Sequence, residues 1–188
     1  MFNWLIRTAA AGIAVCMVLM IAPAAYGQPQ SPLEPLVDAA ARRLQVAEPV
    51  VASKFHTGGP IEDPAREGQV LAYVSAEATK VGVESAYVTT VFRDQIDATV
   101  AIQYSRLSEW KLDPASAPID APDLASTRGI IDALNREMVT EMADEWDVLH
   151  SPSCVADLDA AKAAVVRARS LDPLYQQAID FATRSYCP

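Results

Sequence analysis

The chain has 188 residues, enough for one domain with its own core once any targeting segment is set aside. Hydrophobic residues make up 51% and only 7 residues are glycine, which excludes a disordered or low-complexity protein. A formal net charge of −9, from 24 acids against 15 Lys and Arg, argues against nucleic acid and against anionic lipid, since both require a basic face.

The N-terminus reads as an export signal. Arg7 precedes an apolar run from about Thr8 to Ala22, and the small residues of Ala22-Pro23-Ala24 and Ala25-Tyr26-Gly27 follow. Cleavage is expected near Ala24 or Gly27, which assigns residues 1–27 to a signal peptide and residues 28–188 to a single mature domain. The product would be secreted or periplasmic, with no stable membrane association. An uncleaved membrane anchor is the alternative reading of the same run. Cleavage would also remove Cys16 and leave Cys154 and Cys187, a pair expected to form one disulfide in an oxidising compartment.

Every later periodicity is helical. Ser31-Pro32 opens a first helix with Leu33, Leu36, Val37, Leu44 and Val50 as its apolar stripe, and Pro49 must kink or break it. After Gly58-Gly59-Pro60, Asp63 is placed to cap a helix that has Pro64 at its first position and Gly82 as its stop. The next runs from near Glu84 to about Lys111, with Val88, Val91, Phe92, Ile96, Ile102 and Leu107 as candidate core. Pro114, Pro118 and Pro122 then predict a rigid extended connection without helix. Asp123 caps a helix to about Leu149, with Ile130, Ile131, Leu134, Met138, Met142 and Trp146 along it. Cys154 to about Ser170 forms another, and Asp172-Pro173 starts the last, ending near Tyr186. Cys154 and Cys187 would staple the base of this final αα-hairpin. With no convincing strand, the fold class is all-α, a single domain of about six to seven helices.

Several chemistries are missing. His56 and His150 have no carboxylate at ligand spacing, so no metal site is expected. Neither histidine has the context of a nucleophile–base pair, and no glycine-rich phosphate loop occurs. What remains is a set of cations and neutral donors. Arg43 and Lys54 are eleven residues apart, which on a continuous helix brings them within about 20° of one face. Arg66-Glu67 lies in the first turn of the Asp63 helix, and Thr99 and Gln103 are one turn apart on the next. Taken singly, Arg43, Lys54 and Arg66 read as solvated charges, Asp63 as a cap, and Arg128 as a partner for Asp132. Together they suggest a cofactor-free site for a small anion.

The pattern Arg43, Lys54, Asp63, Arg66-Glu67, Thr99 and Gln103 resembles that of the all-helical (AroQ) chorismate mutases. The segments LVDAAARRL, PIED, YVTTVFRDQI, AIQYSRLSEWKL and PASAP, with the C-terminal cysteine pair, are similar to the exported monofunctional gamma subgroup. The resemblance spans about Leu33 to Cys187 and implies the chorismate mutase type II fold. It also implies conversion of chorismate to prephenate by an intramolecular [3,3] rearrangement with no cofactor, and it favours a homodimer. Such a reaction needs no nucleophile and no proton transfer. It needs the reactive conformer to be held and charge on the breaking ether C–O bond to be stabilised.

By the family pattern, Lys54 and Gln103 donate to that ether oxygen. Arg43, Arg66 and Arg128 take the two carboxylates, Thr99 adds a hydroxyl, and Asp63 and Glu67 meet the ring hydroxyl. Arg128 resembles the arginine that the exported subgroup supplies from its own chain. Two departures stand out. Gln103 occupies a position where some exported relatives carry Glu, and Val70 one where a relative carries glutamine, a contact Glu67 is expected to take over. A secreted, non-catalytic helical binding protein or effector on the same fold is one alternative, which the intact set of site residues speaks against. Pyruvate elimination from isochorismate in a closely related pocket is another, which assay of both substrates separates.

Overall fold

The computed structural model describes residues 31–121 and 123–188. The export-signal reading of residues 1–27, with Arg7 and Cys16, lies outside the described residues, as does Pro122. The described chain is all helical: α1 (Glu34–Gln45), α2 (Ala47–Thr57), α3 (Pro64–Val81), α4 (Ser85–Leu112), α5 (Leu124–Asp144), the single turn α6 (Trp146–Leu149), α7 (Cys154–Arg169) and α8 (Pro173–Ala182).

Local chemistry sets most of these boundaries. Asp63, Asp123 and Asp172 each accept a backbone N–H three residues on, capping α3, α5 and α8. Gly82 ends α3 in the left-handed conformation (φ 78°), which glycine adopts without a Cβ penalty. Pro49 acts one turn earlier than its own position. Its ring would meet the carbonyl of Gln45, four residues back, and α1 ends at Gln45. Pro49 itself is the third residue of α2, where its missing N–H has no intrahelical acceptor to lose.

Helix α4, roughly 42 Å long at 1.5 Å per residue, is the spine. It packs against α1, α2, α3 and α8. Helix α1 touches α4, α5, α7 and α8 and is buried along most of its surface, with Ala39, Ala40 and Ala41 allowing close approach and Pro35, Asp38 and Arg42 left at the outer face. The main core gathers Leu36, Val37, Leu44, Val88, Val91, Phe92, Ile96, Met138, Met142 and Ile179. A smaller cluster of Val51, Ala52, Ile61 and Trp110, with Phe55 edge-on to Trp110, holds α2 against the far end of α4.

Three expectations are corrected. The proline-rich connection contains a 3-10 turn at Pro114–Ser116, because Pro114 at a first helical position is permitted and Ser116 returns both its N–H and its hydroxyl to Asp113 O. Helix α5 stops at Asp144 rather than near Leu149. Burial first, and then repulsion from Asp144, Glu137 and Glu145, raises the pKa of Glu141, and these acids crowd the helix end where the dipole also disfavours them. The last helix stops at Ala182, and Tyr186 instead turns fully into the core.

Cys154 and Cys187 form the expected disulfide, closing a separation of 33 residues between the start of α7 and the tail after α8. In the chain-entropy account a loop of this size stabilises by about 3–4 kcal/mol. Replacing both cysteines by alanine should lower the urea-unfolding free energy by about 3 kcal/mol. A loss under about 1 kcal/mol would show that non-covalent packing of the tail suffices.

Candidate active site

All eight residues expected at a site line one cleft, which opens where the two apolar clusters meet. Val100, on its wall, packs against both clusters. Five helices supply it. Arg43 comes from the last turn of α1, Lys54 from α2, and Asp63, Arg66 and Glu67 from the start of α3. Thr99 and Gln103 come from α4, and Arg128 from the start of α5. The break between α1 and α2 makes room: Val46 and Val50 at the joint form part of the wall, and Ile61, Val70, Ile96 and Ile131 complete it. Val70 is therefore an apolar wall residue, not a polar contact.

Arg43 is 5% exposed. Its Nε donates to Asn135 Oδ1 at 2.7 Å, its Nη1 to Thr99 Oγ1 at 3.4 Å, and its guanidinium lies over the Phe92 ring at 5.7 Å. Thr99 spends its own hydroxyl hydrogen on Gln95 O (2.7 Å), which leaves its oxygen to accept from Arg43. Burial pulls the Arg43 pKa down to about 10, so the group stays charged at neutral pH.

Lys54 Nζ donates to the carbonyl of Ile61 and to Gln103 Oε1 at 3.1 Å. An ammonium has three donors, so one remains for the cleft. Gln103 is buried, and with Oε1 engaged its NH2 is the half left to donate. Burial lowers the Lys54 pKa below the usual lysine value, a shift that Asp63 opposes and Arg128 reinforces.

The Asp63 cap fixes the first turn of α3: Oδ1 accepts the Arg66 N–H at 3.1 Å and Oδ2 faces Arg128 Nη2 at 3.8 Å. Arg66 Nη2 pairs with Asp132 Oδ1 at 2.6 Å, so Asp132 serves Arg66 rather than Arg128. Glu67 Oε2 accepts from Arg93 Nη1 at 2.9 Å. Among the described residues, no group of three His, Cys, Asp or Glu could hold a metal ion.

Three supporting roles escaped the sequence reading: Arg93 as partner of Glu67, Asn135 as acceptor for Arg43, and Asp132, read there as a partner for Arg128, as the partner of Arg66. A signal for two of them exists. Arg128, Asp132 and Asn135 stand at i, i+4 and i+7, one face of α5, and an asparagine among apolar core positions needs a buried partner.

An all-helical fold with a half-buried cleft of cations and neutral donors between aliphatic walls defines a pocket for a small organic anion. Residues 34–104, from α1 to beyond Gln103, match the family Chorismate mutase type II. The chain is 56% identical over 165 residues to a secreted chorismate mutase of Mycolicibacterium smegmatis, covering 88% of this chain and 91% of that protein. It is 51% identical over 165 residues to a secreted chorismate mutase of Mycobacterium tuberculosis, covering 88% and 83%. The crystal structure of chorismate mutase from Burkholderia phymatum superposes with a TM-score of 0.81 at 31% identity, covering 86% of this chain and 99% of that one. The chain belongs to the chorismate mutase type II family.

Proposed function

We propose that this protein is an exported chorismate mutase, an isomerase that converts chorismate to prephenate with no cofactor, and that the cleft residues divide the work as follows. Lys54 and Gln103 donate to the ether oxygen as its C–O bond breaks. Arg43, Arg66 and Arg128 bind the two carboxylates, Thr99 adds a hydroxyl, and Asp63 and Glu67 meet the ring hydroxyl. The observation that carries this reading is the Lys54–Gln103 pair. Each side chain uses part of its hydrogen-bonding capacity on the other and keeps a donor for the cleft, in a place walled by aliphatic groups. Donors fixed before the reaction in such a low-dielectric site stabilise developing charge without reorganising. The arginine forks suit carboxylates and would select the folded conformer.

Export belongs to the same reading. Residues 1–27 carry the signal pattern, and the two mycobacterial relatives are named as secreted enzymes. Residues 28–188 would be the mature domain, and the terminus of exported protein, read by mass spectrometry, locates the cut. Assembly as a homodimer is part of the proposal, although every cleft residue named here comes from one chain.

Loss of chorismate absorbance, with prephenate identified as product and isochorismate assayed beside it, tests the reaction on protein beginning at Gln28. Lys54→Ala and Arg66→Ala should each lower kcat/KM by at least about 100-fold, about 3 kcal/mol of barrier. Near wild-type turnover in both variants would overturn the assignment of the cleft.

The pH profile is a separate check. An amide donates at any pH, so kcat/KM should be flat between about pH 5 and 8. Activity should fall on the alkaline side as Lys54 loses its proton, and earlier than the ordinary lysine value of 10.5 because burial lowers its pKa. Gln103→Glu should convert the flat profile into one that rises as pH falls, since a carboxyl donates only when protonated. A wild-type rate that collapses between about pH 5 and 8 contradicts the role of Gln103.

A further inference from the structure

The four cations of the cleft are not compensated alike. Arg66 pairs with Asp132, Arg128 faces Asp63, and Lys54 donates to a carbonyl and an amide oxygen. Arg43 is the most deeply buried of them, yet among the described residues no carboxylate lies within ion-pair distance of it. Asp132, whose charge reaches it from a distance, is already engaged by Arg66. Among the described residues, the Arg43 charge meets the Asn135 amide, the Thr99 hydroxyl and the face of Phe92.

Asn135 is fully buried and uses half of its amide. Oδ1 holds Arg43 Nε at 2.7 Å, while Nδ2 is buried without a partner. An orphaned buried NH2 costs stability. Aspartate has nearly the same shape, would hold the same nitrogen by a stronger charge-assisted bond, and has no N–H left over. Hydrogen-bonding capacity therefore does not account for an amide at this position. What the amide has and a carboxylate lacks is neutrality. A neutral acceptor fixes the guanidinium and leaves its charge available to a ligand in a medium where that charge acts strongly.

We propose that Asn135 is a positioning residue that aims the Arg43 guanidinium while leaving its charge uncompensated, so that a carboxylate of bound chorismate is the counter-ion this buried cation lacks. The inference rests on the chorismate reading above. A carboxylate at position 135 would compete from inside the protein for the same fork, holding Arg43 and weakening the substrate's grip on it.

The test is Asn135→Asp in the mature protein, alone and combined with Arg43→Ala. Wild type and Lys54→Ala are assayed first, so a failure of the reaction assignment is seen on its own. Circular dichroism and a thermal midpoint show that each variant is folded. Asn135→Asp should raise the chorismate KM at least about tenfold with a smaller change in kcat. In the Arg43→Ala background the same substitution should change kcat/KM less than about twofold. An unchanged KM, a loss confined to kcat, or an equal loss without Arg43 overturns the proposal. If Asn135→Asp does not fold, Asn135→Ala carries the same cycle. It removes the acceptor and should raise KM at least about tenfold only while Arg43 is present, with the same contrary results decisive.

Discussion

A proline ring and the carbonyl oxygen four residues before it cannot share one helical turn, and between Gln45 and Pro49 that clash divides what would be a single long helix. The consequences run through the whole molecule. Helix α1 is free to sink into the main core, surrounded by α4, α5, α7 and α8, while α2 takes its own course onto the smaller Trp110 cluster. Val46 at the joint and Val50 in the first turn of α2 form part of the cleft wall. Arg43 at the end of one helix and Lys54 at the end of the next then face a common space, which α3, α4 and α5 close from the other sides.

A space so formed concentrates cations, and their cost is managed by what each one touches. Charges in an aliphatic surrounding interact over longer distances than in water, so Arg43, Lys54, Arg66 and Arg128 repel one another more than surface charges do. The lowered pKa values of Arg43 and Lys54 have burial as their largest cause, with a neighbouring cation adding to it in each case: Arg66 for Arg43, Arg128 for Lys54. Asp63, Asp132 and Glu67 temper the field at the rim, where Arg128 and Arg93 are also exposed enough for water to screen them. Among the described residues the deepest cation, Arg43, is held by an amide, a hydroxyl and an aromatic face. Cations gathered in such a cleft favour the entry of an anion.

Elements whose cause is local were legible in the sequence. Asp63, Asp123 and Asp172 cap helices because the donor each needs lies three residues away, and Gly82 stops α3 through its own backbone freedom. Arg43, Lys54, Asp63, Arg66, Glu67, Thr99, Gln103 and Arg128 were legible through their joint spacing, and the fold brings all of them to one cleft. Features decided by tertiary packing were not. Ile130 sits in an apolar period but faces solvent, while Asn135, polar in the same helix, is wholly buried by its bond to Arg43. Periodicity assigns a face to a helix. It does not say which neighbour will need an acceptor there.

The C-terminal tail shows the same dependence from the far side of the core. Beyond Ala182 the chain leaves its helix and turns back on α4. Arg184 and Ser185 both donate to the buried carboxylate of Asp94, at 2.6 Å each, Tyr87 donates to the carbonyl of Tyr186, and the Tyr186 ring is fully enclosed. Asp94 lies between Phe92, the ring under Arg43, and Gln95, whose amide donates to Ala40 O one turn before Arg43 on α1. The stretch of α4 that the tail clasps is thus the stretch that registers α1 and carries the ring under Arg43, immediately before the α4 residues that line the cleft. A disulfide at Cys187 closes that clasp at the first residue after Tyr186. Its placement supports a buried charge: a core in which no described carboxylate pairs with Arg43 tolerates little loosening around it, and a chain terminus frays unless it is tied down.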